Sequence, residues 1–169
     1  MATILSISSQ VVYGAVGNSA GVFVMERLGH EVWQVPTVLL AHHPGYGGAV
    51  GDPFSADEIT RLIAALDRQG FLARCDAVIS GYLAESGQAE AVAGALARVK
   101  AANPDALYLC DPILGDEDTG LYVAPGIEKE IRPLLALADI ATHNWLEVRR
   151  PLGSNTEHAT ETLAASLSW

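Results

Sequence analysis

The stretch Cys110-Asp111-Pro112-Ile113-Leu114-Gly115, followed at once by Asp116-Glu117, holds the residue types suited to a metal–phosphate or other polar ligand. An apolar run, Leu107-Tyr108-Leu109, leads straight into an acid, a rigid proline, a glycine and a carboxylate cluster. In an open α/β sheet, ligands bind just beyond the carboxyl ends of the strands. Proline and glycine fix a turn there, so Asp111 at a strand end can direct its charge into the ligand crevice. The same residues also suit a plain solvated turn, and the motif by itself does not separate the two.

Other chain segments carry polar groups at comparable places: Ser8-Ser9, Thr37, Tyr82 and Thr142-His143-Asn144. Tyr82 can stack on a flat ring or simply cover apolar surface. Thr142, His143 and Asn144 offer short polar groups for a phosphate or a water, or a helix N-cap. Glu147 has the ordinary reading of a solvated helix residue. Gly14-x-x-Gly17-Asn18 matches neither a Walker A loop nor a dinucleotide fingerprint, and a tight turn explains it equally well. His42-His43 lacks a third ligand at zinc spacing. The glycines around that pair, Gly45, Gly47, Gly48 and Gly51, suit a flap over a site. Gathered along one edge of a sheet, the polar strand ends mean more together than any one of them does.

The elements that must position these groups alternate. Ile4–Ile7 reads as a first strand, Ala20–Leu28 as a helix closed by Gly29, Glu31–Val35 as a second strand, and Pro36–Pro53 as loop. Ser55 and Glu58 have capping-box spacing, followed by Ile59, Leu62, Ile63 and Leu66 on one helical face. Ala77–Ser80 is a strand. Ser86 is the expected cap of a helix whose buried stripe is Ala89, Val92, Ala93, Leu96 and Val99. Leu107–Cys110 is the strand before the acidic turn. Pro125 suits a helix start, Pro133 the start of another short turn, and Asp139–Thr142 a last strand. This order predicts a mostly parallel sheet with helices on both faces. After Glu147 the pattern weakens into a break at Arg149–Gly153 and a weak Ala/Leu helix over Ser154–Trp169.

The 169 residues fit one domain, with 50% hydrophobic residues to fill a core. With 20 acids against 10 Lys+Arg, and no basic run, no nucleic-acid partner is expected. A negatively charged nucleotide would need local donors or a metal to offset that field. Cys75 and Cys110 show neither paired nor metal-ligand spacing. No stretch reaches the ~20 apolar residues of a membrane span, and Met1–Leu5 lacks the basic start of a signal peptide. The expectation is a cytoplasmic protein with reduced thiols and no membrane partner.

The residues also resemble a family. Ile4-Leu5-Ser6-Ile7-x-Ser9-x-Val11-Val12-x-Gly14-x-Val16-Gly17-Asn18-Ser19-Ala20 is similar to the opening of pyridoxal kinases, in the ribokinase-like superfamily. Trp33-x-Val35-Pro36-Thr37-Val38 with His43-x-x-Tyr46-Gly47, Ser80-Gly81-Tyr82-Leu83, and Asp111 to Gly115 with Asp116-x-x-x-Gly120-Leu121-Tyr122-Val123 continue the resemblance. Ala138-Asp139-Ile140-x-Thr142-x-Asn144-x-x-Glu147 completes it, so that it covers residues 3 to about 147.

The resemblance implies a three-layer α/β/α fold with a mostly parallel sheet, incomplete at its C-terminal side, over residues 1–147, with a divergent tail at 148–169. It implies transfer of the ATP γ-phosphoryl group to the 5′-hydroxymethyl of pyridoxal, pyridoxine or pyridoxamine, in vitamin B6 salvage. Ser9, Thr37 and Tyr82 match positions that contact the pyridine ring, and His43 and Tyr46 match a flap over it. Asp111, Asp116, Thr142, Asn144 and Glu147 match positions near the ATP phosphates. Asp111, Asp116 and Glu147 match those near the metal. Mg²⁺, a monovalent cation and a homodimer are implied with them.

Departures accompany the match. Thr142-His143-Asn144 stands where the family usually has Thr-Pro-Asn, and His42-His43 where it often has Asn-His. The family's Gly-Thr-Gly-Asp segment, which supplies an anion hole and the general base, occurs nowhere in these 169 residues. No catalytic base is therefore assigned, and turnover by the short chain is expected to be impaired. Two other readings stay open. One is a non-catalytic module that binds B6 vitamers or another subunit. The other is a different ribokinase-like kinase, such as one for hydroxymethylpyrimidine, against which Val11-Val12-Tyr13-Gly14 and the Trp33 block argue.

Overall fold

The computed structural model describes residues 1–48 and 50–149; the tail from residue 150 onward, with the expected break and Ala/Leu helix, lies outside the described residues. Eight strands and five α-helices follow one another as β1 (Thr3–Tyr13), α1 (Asn18–Arg27), β2 (Glu31–His42), β3 (Gly51–Pro53), α2 (Ala56–Arg68), β4 (Ala77–Ser80), α3 (Gln88–Ala102), β5 (Leu107–Cys110), β6 (Gly115–Asp116), β7 (Gly120–Leu121), α4 (Ile127–Leu137), β8 (Ile140–Ala141) and α5 (Trp145–Arg149). Six strands form one sheet in the order β3-β2-β1-β4-β5-β8, and β6 and β7 make a separate two-stranded ribbon. Within the large sheet only β3 runs antiparallel, against β2.

Alternation along β1 sorts the layers. Leu5 and Ile7 face a core shared with Ile59 and Ile63 of α2, Val92, Leu96 and Val99 of α3, and Ile131 and Leu134 of α4. Ser6 points to the opposite face, where its hydroxyl donates to Asn18 at the start of α1. Parallel strands sandwiched this way are apolar on both faces. Cys75 and Cys110 are buried free thiols in this interior, and no helix among the described residues is long and apolar enough to cross a membrane.

Several local expectations hold, and their causes are visible. Ser55 and Glu58 form a reciprocal capping box, with the Glu58 carboxylate accepting from the Ser55 N–H and the Ser55 hydroxyl accepting from the Glu58 N–H. Ile59 and Ile63 are buried, but Leu62 is 47% exposed, because the residues contacting the sheet form a narrower stripe than the full apolar set. Ser86 does not cap α3: Gly87 occupies the N-cap, and the Ser86 hydroxyl donates to Glu130 on α4. Pro133 lies inside α4 rather than opening a new turn.

The largest difference concerns Pro36–Pro53. Instead of a loop, β2 continues through Pro36 to His42 and receives β3. Proline is tolerated in a strand beside a bulge, and the register slips here. Ser8 pairs with Pro36 but Gln10 pairs with Leu39, so β2 carries one residue more than β1. Past the slip β1 no longer pairs with β4, which ends opposite Ile7. The outer halves of β1 and β2 thus extend past β4 as a ribbon edged by β3, followed by a 3₁₀ turn at Pro44–Tyr46.

Candidate functional site

The site begins where that slip opens the sheet. Ser9 stands at the irregularity of β1, and the loop into α1 is pressed against it. A Cβ on Gly17 would fall 2.3 Å from both the carbonyl and the hydroxyl oxygen of Ser9, at φ +53°, so only glycine fits. Asn18 then locks the two strands, its carboxamide donating to the Ser8 and Val35 carbonyls. Across the slip, Thr37 is fully buried, and its hydroxyl donates to the Tyr82 carbonyl at 2.6 Å. Ser9 and Thr37 therefore lie inside β1 and β2, on either side of the slip, rather than at strand ends as expected, and only Tyr82 stands beyond its strand, tied to Thr37.

Gln88 holds this region together. Its carboxamide is 0% exposed. The oxygen accepts from the Ala84 and Glu85 N–H groups, at 2.8 and 3.3 Å. The nitrogen donates to the Thr37 and Phe54 carbonyls, at 2.8 and 2.6 Å. The loop carrying Tyr82 is thereby tied to β2. Sequence reasoning missed Gln88, although a signal exists: it sits four residues before Val92, a polar group on an otherwise apolar stripe.

A second cluster lies beyond β5 and β8. Here a pocket of about 510 Å³ is lined by Asp111, Ile113, Tyr122, Ala141, Thr142, His143, Asn144 and Glu147. Its floor is the Asp111–Gly115 loop, in which Ile113 adopts φ 44°. A left-handed β-branched residue is a true outlier and costs about 1–3 kcal/mol, of the kind kept at ligand sites. The Thr142 hydroxyl and the Ile113 N–H lie near the Asp111 carboxylate and favour its charge. Burial, and then the Glu147 charge nearby, outweigh them and hold the Asp111 carboxyl above the usual range. Burial holds the His143 imidazole below its usual value, with Glu147 opposing.

Glu147 is buried, 2% exposed, which overturns its ordinary reading as a solvated helix residue. One of its carboxylate oxygens accepts from the Leu114 N–H at 2.8 Å, the other from the Asn144 N–H at 3.0 Å. Asn144 in turn caps α5 by accepting from the Glu147 N–H at 3.0 Å, while its side-chain nitrogen donates to the Gly115 carbonyl at 2.6 Å. The N-cap alternative is therefore realised for Asn144.

Tyr122 joins the two clusters. Partial burial, then Glu147, Asp116, Asp111 and the Tyr82 hydroxyl, all push its own hydroxyl upward. Asp116 is close enough to contribute, yet it does not line the pocket: its carboxylate accepts from the Thr119 N–H and hydroxyl in the β6–β7 turn, which holds it below the usual range. Among the described residues no three His, Cys, Asp or Glu side chains gather in a metal-holding group. His43 and Tyr46 sit apart on the ribbon tip. The His43 ring accepts from the Gly45 N–H at 3.1 Å. Tyr46 packs edge-on against Tyr13 and His42, with ring centres at 5.9 and 6.1 Å.

The pocket lining holds two carboxylates and neither Lys nor Arg. A polyphosphate placed there would meet like charge, so a cation between it and Asp111 fits the donor set. Glu147 offers less, since it is only 2% exposed.

No family model matches the chain. It is 42% identical to pyridoxal kinase of Rubrobacter xylanophilus over 96% of its own length and 57% of that protein's. It is 43% identical to pyridoxal kinase of Deinococcus radiodurans over 96% and 55%. Among solved structures, pyridoxal kinase from Leishmania donovani in complex with ADP and pyridoxine superposes with a TM-score of 0.90, at 30% identity, over 98% of this chain and 57% of that one. Pyridoxal kinase from Entamoeba histolytica gives 0.90 at 27% identity, over 97% and 58%. The chain therefore spans somewhat more than half the length of the kinases it matches, and over its own length it shares their sequence and fold.

Proposed function

We propose that the two clusters are the acceptor and phosphate-side portions of a pyridoxal kinase site, in which the ATP γ-phosphoryl group passes to the 5′-hydroxymethyl of a B6 vitamer. One observation carries this reading: Thr37 ties the Tyr82 loop to β2 beside Ser9, and the Tyr122 hydroxyl feels both Tyr82 and the carboxylates of the acidic pocket. The Leishmania donovani relative, with ADP and pyridoxine as its named ligands, supports it.

In this assignment Ser9 offers polar atoms to the pyridine substituents, buried Thr37 holds the Tyr82 loop in place through its hydroxyl, and Tyr82 covers the ring face. His43 and Tyr46, carried on the ribbon, close over it. Thr142, His143 and Asn144 face the phosphates. Asp111 is the carboxylate best placed for a cation, with Asp116 and Glu147 flanking it. Charge neutralisation between Asp111 and the phosphate oxygens is what Mg²⁺ supplies when bound, and a monovalent cation is proposed nearby. Thr142 keeps Asp111 oriented through its hydroxyl. A homodimer is proposed as the assembly and the cytoplasm as the location, the latter in keeping with two buried, unpaired thiols.

Phosphoryl transfer depends on positioning and charge stabilisation, and the 169 residues lack the Gly-Thr-Gly-Asp segment that would complete it. The expected behaviour of this chain is ligand binding with turnover near background. Calorimetric titration with pyridoxal, in the presence of ADP and Mg²⁺, should give a dissociation constant between roughly 1 µM and 1 mM, the range of ordinary enzyme KM values. A coupled assay should detect little pyridoxal 5′-phosphate. Absence of any heat at millimolar pyridoxal removes the reading, and rapid turnover by homogeneous chain removes the expectation of impairment.

A further inference from the structure

The hydrogen bonds around Glu147 assign it a different task from its neighbours. We propose that Glu147 and Asn144 are positioning residues: they clamp the Asp111–Gly115 loop in its strained, ligand-ready shape, and Glu147 itself contacts neither metal nor nucleotide. This rests on the proposed nucleotide site for its functional consequence, but the clamp is a property of the unliganded chain.

Three observations carry it. First, Glu147 is 2% exposed while lining the pocket wall, so its carboxylate is directed into the protein. Second, each of its oxygens is already held by a backbone N–H from a different segment, Leu114 on the loop and Asn144 at the start of α5. Third, the Asn144 side chain reaches the next loop residue, Gly115, so the first turn of α5 grips both residues that follow Ile113. Ile113 occupies φ 44°, a conformation that persists only where the surroundings over-determine it. Without the grip on Leu114 and Gly115 the loop relaxes, and the Ile113 N–H moves away from Asp111, whose charge it favours.

Two variants of the whole 169-residue chain test this. Glu147→Gln keeps shape but presents one amide nitrogen to a backbone N–H, so one of the two bonds is lost. Asn144→Asp keeps the cap oxygen and loses the donor to Gly115. Both should speed amide exchange of the unliganded protein at Leu114, Gly115 or Asn144 by about tenfold or more, as local openings do, while Ile7 and Val92 exchange as in wild type. Both should weaken ADP binding roughly tenfold, as loss of an outer-shell support does, with and without Mg²⁺ alike. Unchanged exchange in the loop, together with an affinity loss seen only when Mg²⁺ is present, overturns the proposal and makes Glu147 a metal ligand. Faster exchange with unaltered ADP affinity also overturns it, because the clamp would then position nothing. If the wild-type chain binds no ADP, the nucleotide reading and the positioning role fall together, and faster loop exchange would leave a purely structural clamp.

Discussion

Gln88→Leu is expected to lower the free energy of unfolding by roughly 4 kcal/mol, since each buried backbone group left without a partner costs about 1–3 kcal/mol. Leu is shorter and branched at Cγ, so repacking adds to rather than replaces this loss. Gln88 is fully buried and serves Ala84, Glu85, Thr37 and Phe54 at once. Thr37 keeps a partner, because its carbonyl also accepts from the Phe54 N–H, but the Ala84 and Glu85 amides and the Phe54 carbonyl do not have a replacement there. Urea unfolding followed by circular dichroism should show a lower midpoint with an unchanged slope, as a pure stability change requires. Pyridoxal binding should fall with it even where the variant is folded, since the loop bearing Tyr82 is no longer tied to β2. A loss below about 1 kcal/mol, the net worth of one ordinary hydrogen bond, would show that the carboxamide is not the tie described.

Asp111→Asn should act in the opposite sense on stability. The folded-state carboxyl of Asp111 lies above its usual value, first through burial and then through Glu147, against the opposing influence of the Thr142 hydroxyl and the Ile113 N–H. A raised acid binds its proton more tightly in the folded than in the unfolded chain. Its contribution to stability is therefore fully present below the unfolded value, and it is lost as pH rises through the folded one. At neutral pH the ionised Asp111 is a cost, which the amide lacks. The unliganded variant should melt higher than wild type at pH 7, and the gap should close as pH falls below about 4, the ordinary aspartate range. Mg²⁺-dependent ADP affinity should fall by at least about tenfold, the lower end of what disturbing a metal site costs. Thermal melts across pH and paired calorimetric titrations check both halves. A variant that melts lower than wild type at pH 7, or binds Mg²⁺–ADP unchanged, contradicts the assignment of Asp111.

The parallel layers of the fold were legible because their signals are local. Ser55 with Glu58, the Ile59/Ile63 stripe, and the short apolar runs at Ala77–Ser80 and Leu107–Cys110 appear where their patterns put them. The Pro36–Pro53 region was not legible, because proline and glycine ordinarily mark loops and nothing near Pro36 announces a register slip set by β1. Pro133 and Ser86 failed for a related reason: α4 continues through its proline, and Glu130 on that helix, distant in sequence, captures the Ser86 hydroxyl. At the site, Asp111 was legible from the strand-to-turn change in residue type. Tyr82 and Thr142 stand just past β4 and β8, as their places at segment ends indicate, whereas Ser9 and Thr37, grouped with them on the same ground and by family resemblance, lie inside β1 and β2. What no local pattern revealed is who holds them. Gln88 and Tyr122 work through contacts across the fold, as does the Glu147–Leu114 bond, which spans 33 residues.

The most direct measurement is a pair of nuclear magnetic resonance titrations on isotope-labelled chain, one with pyridoxine and one with ADP and Mg²⁺. Pyridoxine should shift the amides of Ser9, Thr37 and Tyr82, ADP those of Asp111 to Gly115 and Thr142 to Asn144, and Tyr122 should respond to both. Shifts scattered away from these positions, or two ligands perturbing unconnected regions with Tyr122 silent, would contradict a single site in which ring and phosphate meet.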